Sequence, residues 1–527
     1  MIPNPPRLPI HVSINTIKDL IDHLKHTPSD KKALIVKDEA TYSELTYGQL
    51  REWVTHLANG LLKMGIRKGD KIGIMAENRL EWPVVYLAVT AIGAVIAPIS
   101  ILWEQTEIQS LTERGELRMI VTSEKYLEKI LNLMPTVSHL KTVVCFDSQH
   151  PSAIHFDAIL ELGRKIMDEG IDLYSTASIA PEDPAEILFV SSTIGVTLSH
   201  RALLANMKGL FHTLDADRHP DIKTLMMIPF SHLYPTMFGI LLPLAAQWTV
   251  ITTGFVRMDW IFKLLKETEP DHIVLVPLLL ERLSNRLAAR NRKNLPASQI
   301  PGFQRVTAIF VAGVKCPEAI IANVEELGIP VLEGYGVSEM APFITMSTLN
   351  RHRPGSVGIP LANVEVKIHH PDAEGNGEVL ARGPNMMDGY YRPDGNPPEM
   401  VDAGYTYVDD EGWLHTGDIG RMDSDGFLYI TGRLRNIIVT RGGTNVYPRE
   451  IENVLQHSPL ISRVKVVGKW DDATGEYPFA LIHPSPDMVS DDAIKDAIKN
   501  ELEGLAGKLG AYKIPRGFEI VNETEWN

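Results

Sequence analysis

The sequence predicts an α/β fold that passes into an α+β region toward its C-terminal end. Two observations predict it. Up to about Gly358, short apolar runs alternate with helical stretches, and this alternation indicates parallel sheets covered by helices. After Gly358, short segments of alternating polar and apolar residues are separated by Gly, Asp and Pro, which indicates antiparallel strands.

The elements follow in order along the chain. "KIGIMAE" predicts a strand, "NRLEWPVVYLAVTAIG" predicts a helix that ends at Gly93, and "AVIAPIS" predicts the next buried strand. "LKTVVCFD", "HIVLVPLLLERLSNRLAAR" and "VTAIFVAGVKCPEAIIANVEELGIPVLEGYG" repeat the alternation. "NVEVKIHH", "GNGEVLARG", "GFLYITGR" and "RVKVVGKW" predict the strands of the C-terminal region.

One apolar stretch is long enough to raise a second interpretation. Residues Val84 to Trp103 carry no charge over 20 residues, which is the length of a membrane-spanning helix. A helix followed by a buried strand explains the stretch better, because Gly93 suits a helix end and Pro98 a strand end. We therefore expect no transmembrane segment.

Composition limits the class of protein. A chain of 527 residues is expected to form several cores, since domains usually contain about 100–200 residues. The formal net charge of −15 argues against nucleic-acid binding. Two cysteines, Cys145 and Cys316, provide no disulfide framework, and the N-terminus lacks the apolar core of a signal peptide. We therefore expect a cytoplasmic protein.

The segment "EGYGVSEMAP", residues 333–342, carries groups that suit a ligand site. Gly334 and Gly336 permit close approach of the backbone to a ligand, and Tyr335 offers a flat ring. Glu339 is a hard oxygen ligand of the kind that Mg²⁺ takes. A glycine-rich turn with a surface glutamate explains the same residues, so this motif alone leaves both interpretations open.

Two further segments are rich in polar groups. Asp418 in "LHTGDIG" is suited to accept both hydroxyls of a ribose, although an aspartate in a turn commonly bonds its own backbone. "YITGRLRNIIVTRGGTNVYPREIENVL" places arginines around a Gly-Gly pair, and a solvated hairpin is the alternative there. Its arginines are Arg433, Arg435, Arg441 and Arg449.

Taken together and in this order, the segments resemble the adenylate-forming superfamily of acyl-CoA synthetases, luciferases and peptide-synthetase adenylation domains. "LTYGQLREWVTHLANGLLKMGIRKGDKIGIMAENRLEW" and "GAVIAPIS" resemble the N-terminal segment of that family, and "MMIPFSHLYP" resembles its substrate-side histidine motif. "GEVLARGPNMMDGYYRPDG" resembles the segment before the ribose aspartate, and "VVGKWDDATGEYPFALI" and "YKIPRGFEIV" resemble the small C-terminal domain. The resemblance covers nearly the whole chain.

The resemblance implies an architecture and a reaction. A large N-terminal domain, residues 1–433, contains βα-layered subdomains and a distorted barrel, and a small mobile α+β domain, residues 434–527, turns about a hinge at Arg435. The implied activity is ATP- and Mg²⁺-dependent activation of a fatty or aryl acid to an acyl-adenylate, followed by transfer to coenzyme A. Peripheral membrane contact and oligomerisation stay open.

The resemblance also implies roles for individual residues. It assigns His232 and Glu339 to catalysis, with Glu339 on the metal and His232, Ala312 and Gly313 beside the acyl group. For coenzyme A it assigns Arg441, Gly442 and Gly443. The implied nucleotide site comprises Ser191, Ser192, Thr193, Gly313, Glu333, Gly334, Tyr335, Gly336, Val337, Ser338, Asp418 and Arg433.

The chain departs from the family at two places. The phosphate loop of the family reads roughly Ser-Gly-Thr-Thr-Gly-x-Pro-Lys-Gly before "V-x-L-S-H", whereas "VSSTIGVTLSH", residues 190–200, keeps only its edges. The sequence also ends at "EIVNETEWN", before the segment where the family carries a catalytic lysine, so none is assigned.

Two hypotheses follow. The first is an active acid–thiol ligase whose printed sequence omits mobile segments, and the second is a nucleotide- or acyl-adenylate-binding pseudoenzyme that lacks both elements. The adenine, ribose, hinge and thiol-side motifs favour the first. It predicts a break between Ser191 and Val196, with a Cα–Cα step well beyond the roughly 3.8 Å of a trans peptide. A closed turn would favour the pseudoenzyme.

Overall fold

The computed structural model describes most of the chain. The described residues are 14–37, 41–191, 194–216, 221–254, 258–290, 296–313, 315–391, 406–433, 438–442, 444–471, 475–485 and 491–521.

Strands within the described ranges fall into several sheets. They are β1 (Lys32–Lys37), β2 (Tyr42–Thr46), β3 (Lys71–Met75), β4 (Val95–Pro98), β5 (Met119–Thr122), β6 (Thr142–Cys145), β7 (Ile154–His155), β8 (Pro184–Phe189), β9 (Gly195–Ser199), β10 (Lys223–Met226), β11 (Thr249–Thr253), β12 (His272–Leu275), β13 (Ala308–Ala312), β14 (Val331–Gly336), β15 (Phe343–Met346), β16 (Ile359–Pro360), β17 (Glu365–His369), β18 (Gly377–Arg382), β19 (Gly389–Tyr391), β20 (Tyr407–Val408), β21 (Leu414–Met422), β22 (Leu428–Arg433), β23 (Ile438–Val439), β24 (Asn445–Val446), β25 (Ile461–Asp471), β26 (Gly475–Pro484) and β27 (Phe518–Ile520).

Helices alternate with the strands over the first two thirds of the chain, as the sequence predicts. They are α1 (Ile17–His23), α2 (Tyr47–Lys63), α3 (Glu81–Ala91), α4 (Gln105–Arg114), α5 (Glu124–Leu131), α6 (Phe156–Asp168), α7 (Leu173–Thr176), α8 (His200–Thr213), α9 (Leu233–Thr236), α10 (Leu242–Ala246), α11 (Met258–Thr268), α12 (Pro277–Arg290), α13 (Glu318–Glu325), α14 (Pro448–Leu455) and α15 (Asp491–Glu503).

The eight-stranded sheet contains the long apolar stretch of the sequence. Its order is β19-β9-β8-β4-β3-β5-β6-β7, and β3 pairs in parallel with β4 and β5. The apolar stretch divides into α3, a turn at Gly93 and β4, and α3 is buried from Trp82 to Ala91. Within the described ranges, no helix is long and apolar enough to cross a bilayer.

The nine-stranded sheet brings three strand ends together at one edge. Its order is β16-β15-β14-β13-β12-β10-β11-β1-β2, with β12, β13 and β14 parallel to one another. Carboxyl ends of parallel strands are the usual place for ligands in such sheets. The segments "FVAG" and "EGYG" therefore lie side by side, with Ala312 paired to Gly334.

After Gly358, where the sequence predicts antiparallel strands, the chain contains a five-stranded antiparallel sheet. Strands β17, β18, β21 and β20 follow one another in this order, and β22 pairs with the other part of β21. The pairing places Asp418 directly opposite Arg433. Val364, Val379 and Leu428 join the main apolar core, so this sheet packs onto the other two sheets.

The C-terminal part of the chain has an apolar cluster of its own. Ile451, Val466 and Ile482 belong to it, and β25, β26 and β27 form a three-stranded sheet beside it. Lys513 of this part pairs with Glu107 of α4 at 2.5 Å. The predicted boundary between residues 433 and 434 stays a prediction, and the predicted hinge, Arg435, lies outside the described residues.

Candidate active site

A three-residue cluster joins the nine-stranded and five-stranded sheets. The hydroxyl of Tyr335 donates to Asp418 Oδ2 at 2.7 Å, and Arg433 Nε donates to Asp418 Oδ1 at 2.6 Å. Burial and then the Asp418 carboxylate raise the pKa of Tyr335, so its hydroxyl keeps its proton and donates. A carboxylate has about four lone-pair sites, so Asp418 retains acceptor capacity for two ribose hydroxyls.

The local sequence fixes the direction of the Asp418 side chain. Gly417 has a φ of 72°, a conformation that favours glycine, and its amide donates to Glu378 Oε1 at 3.0 Å. The hydroxyl of Thr416 donates to the carbonyl of Val379 and accepts the amide of Asp418 at 3.2 Å. Asp418 is therefore held by strand and turn contacts before any ligand binds.

The glycines of β14 serve close packing inside the protein. A Cβ atom at Gly336 would lie 1.8 Å from the carbonyl oxygen of Pro342, and one at Gly334 would meet Met346 and Phe343. These glycines let β14 approach the segment behind it. The sequence attributes these two glycines to close approach of a ligand, whereas the structure gives a packing reason for both.

Glu339 lies in a short turn directly after β14. The turn, Ser338–Met340, is a single 3₁₀ turn, and Glu339 is buried within it. Tyr390 donates its hydroxyl to Glu339 Oε1 at 2.6 Å, and the amide of Met387 donates to the Glu339 carbonyl at 2.8 Å. Val337 and Ser338 are half-buried beside it.

The donor set at Glu339 fits a cation that arrives with a nucleotide. Within the described ranges, no group of three or more His, Cys, Asp or Glu side chains is arranged to hold a metal ion. Mg²⁺ is commonly held by one or two carboxylates together with substrate phosphates rather than by a full protein cage. A single buried carboxylate therefore suits Mg²⁺ that phosphate oxygens also hold.

Glu333 begins the same segment and is largely neutral near pH 7. Burial, the main cause, raises the pKa of its carboxyl to about 8, against the opposing effect of the Cys316 amide. A carboxyl that keeps its proton adds no negative charge beside an anionic nucleotide.

The substrate-side histidine motif lies beside the strand ends. His232 directly precedes α9 with an extended backbone, and burial lowers the pKa of its ring. The ring is therefore neutral near pH 7. Tyr234, two residues later, donates its hydroxyl to the carbonyl of Phe310 at 3.1 Å, and Ala312 ends the same strand. Gly313 follows with a φ of 95°, and apart from its chain neighbours no atom of the described residues lies within 4 Å of where its Cβ would be.

Aromatic rings fill the space between the histidine motif and the Glu339 turn. Tyr234 and Phe238 contact Phe343 at ring-centroid distances of 5.4 and 5.5 Å, and Phe238 contacts Phe310 at 5.1 Å. Aromatic pairs at such distances contribute about 0.5–1.5 kcal/mol beyond their burial. These rings thus form an apolar, aromatic wall.

Strands β8 and β9 flank the turn of "VSSTIGVTLSH", and the predicted backbone break between Ser191 and Val196 stays a prediction, because Ser192 and Thr193 lie outside the described residues. Strands β8 and β9 pair as far as Phe189 and Gly195, and the amide of Val190 donates to the carbonyl of Ile194 at 3.0 Å. From its first serine to its last glycine, the family pattern needs nine residues, whereas Ser191 to Gly195 provides five. The four missing positions include the lysine. Ser191 is buried, and Ser192 and Thr193 lie outside the described residues.

The thiol-side motif lies on the C-terminal part of the chain and faces α12. Arg441 forms an ion pair with Glu281 of α12, and Gly442 is exposed next to it. Arg441, Lys315 and Trp470 line a cleft of about 310 Å³ between the two parts of the chain. Gly443 lies outside the described residues.

Sequence reasoning assigned no role to several residues that hold the site. Tyr390 lies within "MMDGYYRPDG", a segment that resembles the family, and this resemblance was the available sequence signal for a role of Tyr390. Asn206 and Asn385 each donate to the carbonyls of both Met340 and Phe343, and so support the turn that carries Glu339. No pattern in the sequence distinguishes these two asparagines from others.

Most of the chain matches the models of a known protein family. Residues 21–391 match the family described as AMP-binding enzyme, and residues 450–525 match the AMP-binding enzyme C-terminal domain. The chain is 27% identical to the long-chain-fatty-acid–CoA ligase of Salmonella typhimurium, covering 98% of this chain and 94% of that protein. It is also 27% identical to the oxalate–CoA ligase of Arabidopsis thaliana, covering 96% of this chain and 95% of the relative.

The fold of this chain is also found in solved structures of other proteins. The structure of an amide bond synthetase from Marinactinospora thermotolerans matches with a TM-score of 0.76 at 24% identity, covering 96% of this chain and 95% of that one. The large multi-sheet N-terminal part and the small α+β C-terminal part are common to both. The chain therefore belongs to the adenylate-forming superfamily, as an AMP-binding enzyme that carries the C-terminal domain of that family.

Proposed function

We propose that this chain is an AMP-forming acid–CoA ligase that activates a fatty or aryl acid. The observation that carries the proposal is the Tyr335–Asp418–Arg433 cluster, which lies beside Glu339 and the aromatic wall at the carboxyl ends of β13 and β14. These groups suit the adenine and ribose, the cation of the nucleotide and an apolar acyl group.

The proposed reaction has two steps. In the first, an oxygen of the substrate carboxylate attacks the α-phosphorus of ATP. A C(O)–O–P bond forms, the Pα–O–Pβ bond breaks, and pyrophosphate leaves. In the second, the sulfur of coenzyme A attacks the acyl carbon, the C–O bond to AMP breaks, and AMP leaves with the bonding electrons. The thiol proton passes to solvent.

The residues of the chain have distinct tasks in these steps. Asp418 and Arg433 hold the ribose, Tyr335 lies against the adenine, and neutral His232 lines the carboxylate side. Mg²⁺, when Glu339 and the phosphates hold it, supplies charge neutralisation on the phosphoryl oxygens. Arg441, Gly442 and Gly443 approach coenzyme A, and the small domain of residues 434–527 turns about Arg435 between the steps.

The test is a screen of carboxylic acids. Pyrophosphate release is measured with ATP, Mg²⁺ and a panel of fatty and aryl acids, and thioester formation is measured after coenzyme A is added. We expect both products with at least one member of the panel. Neither product with any acid would overturn the ligase proposal.

The short sequence between β8 and β9 favours a second candidate, an acyl-adenylate-binding protein in which the first step is impaired. The five residues from Ser191 to Gly195 lack the lysine of the family pattern and part of the backbone that would surround the β- and γ-phosphates. AMP and an acyl-adenylate do not carry these phosphates. A synthetic acyl-adenylate given with coenzyme A separates the two candidates, because this candidate forms the thioester from it while ATP and free acid release no pyrophosphate.

A further inference from the structure

We propose that Tyr390, supported by Thr406, is the positioning residue that fixes the Glu339 carboxylate for the cation of the nucleotide. The inference rests on the proposed function, because it assigns Glu339 to that cation. Tyr390 would touch neither the nucleotide nor the acid, so its effect passes through Glu339.

The hydrogen bonds around Tyr390 have one consistent assignment. The amide of Thr406 donates to the Tyr390 oxygen at 3.2 Å, so this contact leaves the phenolic proton unused. An ionised carboxylate only accepts, so the phenolic proton goes to Glu339 Oε1 at 2.6 Å. The hydroxyl of Thr406 is then the donor in its own 2.6 Å contact with Tyr390.

In this assignment, the two carboxylate oxygens of Glu339 differ in their hydrogen bonds. Oε1 is engaged by a tyrosine that two donors of Thr406 fix in turn, whereas Oε2 accepts no hydrogen bond from the described residues. A hard cation needs a carboxylate oxygen that is held in place and not already shared. The geometry thus presents Oε2 to a ligand.

The segment that carries Tyr390 is hydrogen-bonded to the turn that carries Glu339. Asn385 donates to the carbonyl of Met340 at 2.7 Å, and the amide of Met387 donates to the carbonyl of Glu339 at 2.8 Å. Tyr390 itself pairs with Val196 of β9, the strand that leaves the short hairpin. Residues 385–390 therefore hold the Glu339 turn against the phosphate side of the site.

The test compares Tyr390→Phe with Tyr391→Phe. Tyr391 is the next residue of the strand and its hydroxyl contacts Glu116, so the control loses a tyrosine hydroxyl of the same strand at a different place. Binding of Mn²⁺ in the presence of ATP, without acid, is followed by water-proton relaxation, and binding of AMP without metal is followed by calorimetry. We expect Tyr390→Phe to weaken Mn²⁺ binding by about tenfold or more, since loss of a residue that orients a metal ligand commonly costs about 10–100-fold.

A second pair of variants keeps the test valid if Tyr390→Phe folds poorly. Thr406→Val removes the hydroxyl donor to Tyr390 and should weaken Mn²⁺ binding in the same direction, whereas Thr406→Ser should restore it. AMP binding should stay unchanged in all four variants.

The outcomes separate the inference from the proposed function. Mn²⁺ binding to Tyr390→Phe and Thr406→Val that equals the wild type would overturn the inference alone. A wild-type protein that binds AMP but takes up no Mn²⁺ with ATP would overturn both the inference and the ligase proposal.

Discussion

The nucleoside side and the phosphate side of the candidate site are built very differently. On the nucleoside side, Tyr335 and Arg433 engage both oxygens of Asp418, so three side chains from two sheets hold one another. On the phosphate side, β8 and β9 pair as far as Phe189 and Gly195, and the short sequence that joins them lacks the lysine of the family pattern. Gly195 there packs against Ile187, where a Cβ would lie 2.5 Å away.

The difference lies in the contacts on which each side depends. The strands of the hairpin need only each other and the core, so a shorter turn leaves their pairing intact. The cluster at Asp418 depends on contacts between sheets, and loss of one member would leave buried polar groups without their partners. We therefore expect the nucleoside side to bind its ligand and the phosphate side to limit the first step.

The largest effect should come from lengthening the hairpin. Insertion of Gly-Ser-Pro-Lys between Ile194 and Gly195 restores the length of the family pattern and its lysine. We expect pyrophosphate release to rise by about a hundredfold or more, because backbone amides and a lysine then stabilise the charge on the phosphates. The control insertion, Gly-Ser-Pro-Ala, isolates the lysine charge, and equal rates for wild type and both insertions would contradict the comparison.

The scaffold of the phosphate side should respond to pH through Glu186 of β8. Its buried carboxyl accepts the hydroxyl of Tyr86 at 2.8 Å, and burial raises its pKa from 4.5 to about 7. A raised pKa in the folded state means that its contribution to stability is complete below pH 4.5 and is lost as the pH rises to about 7.

Glu186→Gln removes this titration. When the pH is raised from about 5 to about 8, the free energy of unfolding of the wild type should fall relative to that of Glu186→Gln by up to about 3 kcal/mol. Each unit of pKa difference contributes about 1.4 kcal/mol. Urea unfolding at the two pH values measures the shift. Glu128→Gln, at an exposed position of α5, is the control and should show none; the same null result for Glu186→Gln would refute the assignment.

On the nucleoside side, Asp418→Ala should weaken ATP and AMP binding by about tenfold or more. Loss of a hydrogen bond to a charged group costs about 1.5–3 kcal/mol. Calorimetric titration measures the change, and Asp410→Ala, at an exposed position nearby, serves as the control. Unchanged affinity for both nucleotides in Asp418→Ala would remove Asp418 from the site.

The smallest effect should come from Tyr335→Phe. This change keeps the ring and removes only the hydroxyl that donates to Asp418. We expect AMP binding to weaken by about fivefold, which corresponds to about 1 kcal/mol. A loss as large as that of Asp418→Ala would mean that the hydroxyl acts on the ligand directly.

Much of the architecture could be predicted from the sequence, because it rests on local patterns. The strand and helix around Trp82 and Gly93 follow from an apolar run with a glycine stop, and the C-terminal strands follow from alternation. The segments around Tyr335 and Asp418 could be recognised for a similar reason, since each is a short run of neighbouring residues. Glu339 and His232 could be recognised for the same reason, because each lies in a short motif of neighbouring residues.

What the sequence by itself determined is thus the fold class, the superfamily and the short segments that line the site. Only the tertiary structure decided that the glycines of β14 pack closely against Pro342 and Phe343, and that Tyr390 donates its hydroxyl to Glu339. The physical reason is distance along the chain. Tyr390 and Glu339 are 51 residues apart, and Tyr335 and Asp418 are 83 apart, so their contacts arise when separate sheets pack, and no local pattern records that packing.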